Sequence, residues 1–253
     1  MPDASDRKRS AASHFGEHAA AYLDSDVHRA GEDLDRLADW CASAERALDV
    51  ATGAGHAAGA LLDAGVDRVV ATDAAPAMVA TATAAFPGLE GAVCDAERLP
   101  FAAASFDAAT CRIAAHHFPE PTAFIDEVAR VLEPGGTFAF EDNVAPADDA
   151  LDDFLNRIER LRDPTHVRSH AVADWVGWLG AAGFDVETTR VITKRLDYDE
   201  WIANVDAPAD RRDRVAAAFA DAPPAAAEAF DLTHEDGTIA SFVNHKLLVR
   251  ATR

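Results

Sequence analysis

A chain of 253 residues with 49% hydrophobic residues fits one generous domain and has ample material for a core. Asp and Glu number 44 against 23 Lys and Arg, a formal net charge of -21, and no basic patch offsets it, so a nucleic-acid partner is not expected. No apolar run is long enough to span a membrane, the first ten residues lack a signal-peptide core, and Cys41, Cys94 and Cys111 have no metal spacing, so a cytoplasmic protein without a metal site is expected.

The acid excess is spread along the chain, as in Asp24, Asp26, Glu32, Asp33 and Asp35, and the lysines are only Lys8, Lys194 and Lys246. With abundant alanine, that pattern suits a surface kept soluble in high salt, and it points to a halophilic host.

In chain order, residues 1–10 read as a frayed tail. Residues 15–22 are alanine-rich and helical in propensity, and 33–40 place Leu34, Leu37 and Trp40 at helical spacing. Short apolar strands then alternate with helices. A strand at 47–51 precedes a helix through Ala57, Ala60, Leu61 and Leu62. A strand at 66–72, closed by Asp73, precedes a helix at 76–86. Strands follow at 91–94 and 106–113, then a helix at 121–132 with Phe124, Val128 and Val131 inward. Glu133-Pro134-Gly135-Gly136 is a turn before a strand at 137–141. This alternation specifies an α/β fold with a mainly parallel, doubly wound sheet.

Beyond Asn143 the rhythm loosens. Leu151, Phe154, Leu155 and Ile158 form one face of an amphipathic helix, and residues 175–182 another, closed by Gly183. Residues 184–196 read as a strand, 197–236 as helical, and 238–249 as a final strand. The whole chain, 1–253, reads as a single domain. Residues 1–45 form a helical cover, 46–145 a core, and 146–253 a C-terminal part whose added helices would cover a site.

The most informative stretch is Asp49-Val-Ala-Thr-Gly53-Ala-Gly55-His56, at a strand-to-helix turn. Glycines there let the backbone approach a ligand, and the helix start offers unpaired N–H groups. Asp73 ends the next strand, where a carboxylate can accept both ribose hydroxyls. Gly53, Gly55 and Ala58 satisfy G-x-G-x-x-A, which also admits a nicotinamide-dependent oxidoreductase. Asp49 would repel a pyrophosphate but suits the cationic amino-acid end of S-adenosylmethionine, and Asp95 after the third strand can accept an adenine amino group.

Together with Glu133-Pro134-Gly135-Gly136, these motifs resemble the class I S-adenosylmethionine-dependent methyltransferases, in the small-molecule branch related to ubiquinone and menaquinone biosynthesis. The resemblance covers roughly residues 15–145. It extends through Cys111-Arg-Ile-Ala-Ala-His-His-Phe118, Glu141-Asp-Asn-Val-Ala-Pro146 and Leu161-Arg-Asp-Pro-Thr-His-Val-Arg168 to an uncharacterised bacterial and archaeal subgroup. Ala51 stands where the wider family has the first glycine of its loop.

The resemblance implies a Rossmann-like, seven-stranded sheet whose last strand is antiparallel. It implies S-adenosylmethionine as cofactor, with Asp49, Gly53 and Gly55 around the methionine moiety and Asp73 on the ribose. Met78 and Ala96 would flank adenine, Asp95 would take its amino group, and Arg112 would lie near the methionine carboxylate or the substrate mouth. His116 and His117 follow the fourth strand, at the carboxyl edge where open sheets bind ligands, and either can act as a base or orient an acceptor. Arg162, His166 and Arg168 form a basic knot which, with Asn143, would hold an anionic or oxygenated acceptor. Tyr22 and His28, in the N-terminal cover, would close over the site. A small-molecule acceptor is therefore expected, with a homodimer as the assembly considered. A non-catalytic S-adenosylmethionine-binding protein is the alternative from another class.

Overall fold

A computed structural model describes residues 3–23, 29, 31–205 and 207–253. Its sheet runs in the order β3 (Glu90–Val93), β2 (Arg68–Asp73), β1 (Arg46–Val50), β4 (Phe106–Arg112), β5 (Leu132–Asn143), β8 (Thr238–Thr252), β6 (Asp185–Asp197). The first five are mutually parallel, and β8 is antiparallel to both β5 and β6. The sheet is thus mainly parallel with a reversed last strand, as expected.

Among the described residues it has one strand more than the expected seven. β7 (Thr233–Glu235) pairs with the start of β8 through a two-residue turn at Asp236-Gly237, whose φ values of 49° and 79° are those of a hairpin turn matched to strand twist. The wholly helical reading of 197–236 is corrected there. The Glu133–Gly136 turn is likewise a bulge inside β5: Phe106 pairs with Leu132, and Ala108 already pairs with Thr137.

Two apolar layers flank the sheet because neighbouring strand residues point to opposite faces. Ala47, Ala108 and Leu248 pack with Leu37 and Cys41 of α3 (Glu32–Cys41) and with Ala58 and Leu61 of α4 (His56–Asp63). Leu48, Ala109 and Leu247 face Phe124 and Val128 of α6 (Pro121–Val131) and Trp175 and Leu179 of α8 (Val172–Ala181). α5 (Pro76–Ala85) joins β2 to β3.

A separate apolar cluster surrounds the outer half of β8. Phe154 of α7 (Asp149–Arg162), Trp201 of α9 (Tyr198–Ala203), Phe219 of α10 (Ala209–Ala220) and Ala226 of α11 (Pro224–Ala229) pack with Phe242. This is the C-terminal cover.

The N-terminal cover begins earlier than its sequence suggests. The Asp3 side chain accepts the Asp6 N–H at 2.8 Å and starts α1 (Ala4–Glu17), so the expected frayed tail is helix from its fourth residue. α2 (Ala19–Leu23) follows, and Phe15, Ala19 and Tyr22 pack on Ala75 and Met78. His28 lies outside the described residues.

Candidate functional site

The carboxyl ends of β1, β2, β4 and β5 open into a cavity of ≈ 710 Å³ beneath α1, α2, α7 and α9, within the range of small-molecule sites. One half is built largely from backbone. After β1 the chain turns through Ala51, Gly53 and Gly55, with φ values of 54°, 55° and 96°. The two glycines do different work. A Cβ on Gly53 would meet nothing within 4 Å, so this residue faces open cavity. A Cβ on Gly55 would stand 2.7 Å from the Ala82 Cβ, and Gly55 does not line the cavity. Its smallness lets α4 approach α5, which corrects its expected place beside a ligand.

Asp49 lies under this loop, fully buried, accepting Thr52 Oγ1 and Thr110 Oγ1 at 2.6 Å each. Burial pushes its carboxyl up to about 6, against the lowering effect of the two hydroxyls. Asp73 accepts the Gly53 N–H at 3.0 Å and the Ala75 N–H at 2.9 Å, one on each oxygen. Burial raises this carboxyl too. Met78 and Ala96 supply apolar wall. Asp95 lines the cavity but is held in an ion pair at 2.7 Å by Lys8 of α1, which also pairs with Glu97. The open space at Gly53, two carboxylates with spare lone pairs and an apolar wall fit a cofactor carrying a ribose and a cationic amino-acid end.

The other half is built from side chains on β4, β5 and β8. Arg112 closes β4, buried between Asp33 at 2.6 Å and Glu141 at 2.8 Å. It lines the cavity as a member of this ion cluster. The next residue, Ile113, takes φ 53°, a costly conformation for a β-branched side chain, and turns the chain towards the histidines.

His116 donates its backbone N–H to Asp142 Oδ2 at 2.8 Å, and its Nδ1 lies 2.6 Å from Asp142 Oδ1. Burial opposes the charged ring, but Asp142 prevails and the His116 pKa is raised. His117 donates Nδ1–H to the Thr165 carbonyl at 3.1 Å, and burial with the neighbouring His116 takes it down to about 4. His166 Nε2 bonds Asn156 Oδ1 at 3.1 Å, and burial with the same two histidines lowers its pKa. All three rings line the cavity.

The expected basic knot separates. Arg162 lines the cavity, its guanidinium 4.5 Å from the Trp201 ring centre and its Nε bonded to the Trp201 carbonyl at 3.0 Å. Arg168 does not reach the cavity; its 2.5 Å ion pair with Asp152 holds it outside. Asn143 and Tyr22 line the cavity, and burial pushes the Tyr22 hydroxyl up to about 12.

Asn244 and Lys246 were missed by sequence reading, yet both line the cavity and are buried. Two polar residues spaced i, i+2, on the same face as Phe242 and Leu248, were the available signal.

Comparison with known proteins bears on this arrangement. Residues 48–140 match a family model described as a methyltransferase domain. An uncharacterized methyltransferase of Bacillus subtilis, YcgJ, is 35% identical over 247 residues, covering 94% of this chain and 97% of its own. A crystal structure of a Bacillus halodurans protein assigned as a methyltransferase superposes with a TM-score of 0.84 at 35% identity, over 88% of this chain and 99% of that one. A demethylmenaquinone methyltransferase of Beutenbergia cavernae is 42% identical over 92 residues, 36% of this chain and 38% of its own length.

Proposed function

Since the chain belongs to the class I S-adenosylmethionine-dependent methyltransferases, we propose that it methylates a small molecule seated against β4, β5 and β8. A quinone-type carbon is the first acceptor to test, on the strength of the demethylmenaquinone methyltransferase similarity; oxygen and nitrogen acceptors come next. The observation that carries the acceptor side is the buried His116–Asp142 pair on the cavity wall.

When bound, the cofactor supplies a methyl group on a sulfonium whose thioether leaves without protonation. The chain's own residues then have three tasks. Gly53 and the adjoining loop would take the methionine part, with Asp49 beneath its amino group and Asp73 on the ribose. Met78 and Ala96 would flank the adenine, and Asp95 would reach its amino group from the Lys8 ion pair. The α1 and α2 cover, with Tyr22, would exclude water and hold the acceptor in line, which is most of what this reaction needs.

The third task is the proton. Asp142 accepts His116 Nδ1–H, leaving Nε2 as the basic nitrogen, and its charge strengthens that base. His117, kept neutral at ordinary pH, and His166 would orient the acceptor, with Asn143 and Arg162 on its polar edge. Arg112 would act through its ion cluster.

The test is direct. Protein incubated with methyl-labelled S-adenosylmethionine and a panel of quinols, phenols and amines should yield S-adenosylhomocysteine with a labelled product. Cofactor binding with no turnover on any acceptor would favour a non-catalytic binding protein. The spread charge of -21 is read as adaptation to high salt, and molar KCl should then raise the unfolding temperature. No stabilisation would overturn that reading.

A further inference from the structure

The cavity's far end, where β8 runs back between β5 and β6, holds polar groups that the methyl-transfer chemistry does not use. Asn244 and Lys246 are two residues apart on β8, so they share one face of the strand about 7 Å apart. Both line the cavity and are only 4% and 3% exposed. Among the described residues Lys246 Nζ has no hydrogen-bond partner; Glu141 Oε1 stands 3.4 Å away as an ion contact and also has none. Asn244 Oδ1 is likewise without a partner, while its Nδ2 donates to Asn143 Oδ1 at 3.2 Å. These atoms have lost their water without a protein hydrogen bond in return, and the Glu141 ion contact and the Asn143 bond satisfy each side chain only in part.

The chemistry they would accept is narrow. Within the buried cluster Asp33 and Glu141 balance Arg112 and Lys246, while Lys194, opposite Asn244 on β6, adds a cation to the same cavity wall. A carboxylate or phosphate can only accept; it would satisfy Lys246 and be repelled by Asn244 Oδ1 and Glu141. An ammonium can only donate; it would face Lys246 and Arg112. A hydroxyl both accepts and donates. The neighbouring walls, Leu196, Trp201 and Val205, are apolar and suit a planar ring.

We propose that Lys246 and Asn244 form a hydroxyl-binding subsite, so that the acceptor is a phenol or an enol. Its oxygen accepts from Lys246 Nζ and its hydrogen is donated to Asn244 Oδ1. The ammonium also offsets negative charge gathering on that oxygen. This deepens the methyltransferase reading and rests on it for the acceptor's place in the cavity.

Ligand-observed saturation-transfer NMR tests it, with hydroquinone, hydroquinone dimethyl ether and benzoate as probes, each with and without S-adenosylhomocysteine. Hydroquinone should bind in preference to both others. Lys246→Met and Asn244→Ala should each weaken it about tenfold or more, the usual effect of losing a buried polar partner. S-adenosylhomocysteine affinity, measured by calorimetry, should stay near the parent's in both variants, and the melting temperature near it in Asn244→Ala, while Lys246→Met, which removes one of the two cations beside Glu141, should melt lower. Equal binding of the dimethyl ether, tighter binding of benzoate, or undiminished hydroquinone binding in both folded variants would overturn the subsite. Failure of the parent protein to bind S-adenosylhomocysteine would instead sink the methyltransferase reading, because hydroquinone binding is also read without it.

Discussion

His116 Nδ1 stands 2.6 Å from Asp142 Oδ1, and the backbone N–H of the same histidine donates to the other carboxylate oxygen at 2.8 Å. One aspartate therefore fixes both the ring and the peptide of one histidine. A ring held this way stays near its place in either protonation state.

That pairing gives the first prediction. Burial disfavours the His116 charge, but Asp142 raises its pKa above the ordinary 6.5. An NMR titration should find it there, and in Asp142→Asn it should fall below. Since the folded-state value is the higher one, the pairing's contribution to stability is complete below about 6.5 and fades as pH rises through the raised value. The gap in unfolding free energy between parent and Asp142→Asn should narrow on that same rise. An unshifted His116 in the variant would remove Asp142 as the cause.

The two loop glycines should separate binding from stability. Gly55→Ala forces a Cβ against Ala82 at φ 96° and should cost about 1–3 kcal/mol of stability, read by thermal unfolding. Gly53→Ala meets no protein atom, so its melting temperature should move less while S-adenosylhomocysteine affinity drops. The reverse pattern would exchange their roles.

For Asp73 the expected order is set by acceptor count. Asp73→Ala removes the partner of the Gly53 and Ala75 amides as well as the proposed ribose contacts, and should weaken S-adenosylhomocysteine by about 1–3 kcal/mol. Asp73→Asn keeps one acceptor and should lose less. Calorimetry decides, and unchanged affinity in the alanine variant would take Asp73 out of the site.

Asp49 should report cofactor binding through a proton. Burial holds its folded-state pKa at about 6, above the ordinary aspartate value of 3.8. A carboxyl raised in this way destabilises the fold progressively as pH climbs from about 4 to about 6, and fully above that. A cationic amino group placed against it would drive off the proton, so affinity should rise with pH through about 6. Calorimetry in buffers of different ionisation enthalpy should detect the released proton, and Asp49→Asn should abolish it. Binding without proton release would separate Asp49 from the cofactor's cationic end.

Lys8 joins α1 to the far side of the cavity through Asp95 and Glu97. Partly exposed pairs are worth roughly 0.2–1 kcal/mol, so Lys8→Ala should speed S-adenosylhomocysteine release only about two- to fivefold, measured by stopped flow. The parent's release rate should itself climb with salt. A rate indifferent to both changes would show that α1 does not gate the site.

Much of the cofactor half was legible because it is written in local signals. Asp49, Gly53 and Asp73 sit at strand ends, where the two-residue period and the turn glycines fix position. Gly55 misled because a glycine needed for helix packing and one needed for a ligand look identical in sequence. The acceptor half depends on contacts between distant residues, Arg112 with Asp33 and Asn244 with Asn143, as does the cover over the cofactor half, through Lys8 with Asp95. No local pattern announces these. Arg168 shows the limit well, since whether it turns to the cavity or to Asp152, 16 positions away in the chain, is settled by tertiary packing and not by its own segment. The extra strand was within reach, because Asp236-Gly237 is a strong hairpin signal that the alanine-rich composition around it obscured.

The placement of β8 also has a consequence for the order in which the molecule can be assembled. Among the described strands β6 pairs with β8 alone, and the free edge of β5 is closed by β8. During synthesis β6 leaves the ribosome with no strand to dock on, while β1 to β5 can already collapse together. The nascent chain would therefore acquire its glycine-loop half first and complete the opposite wall only when the reversed strand threads between two partners made earlier. Refolding should show the same division, with a fast phase for the parallel core and a slower one for the insertion of β8.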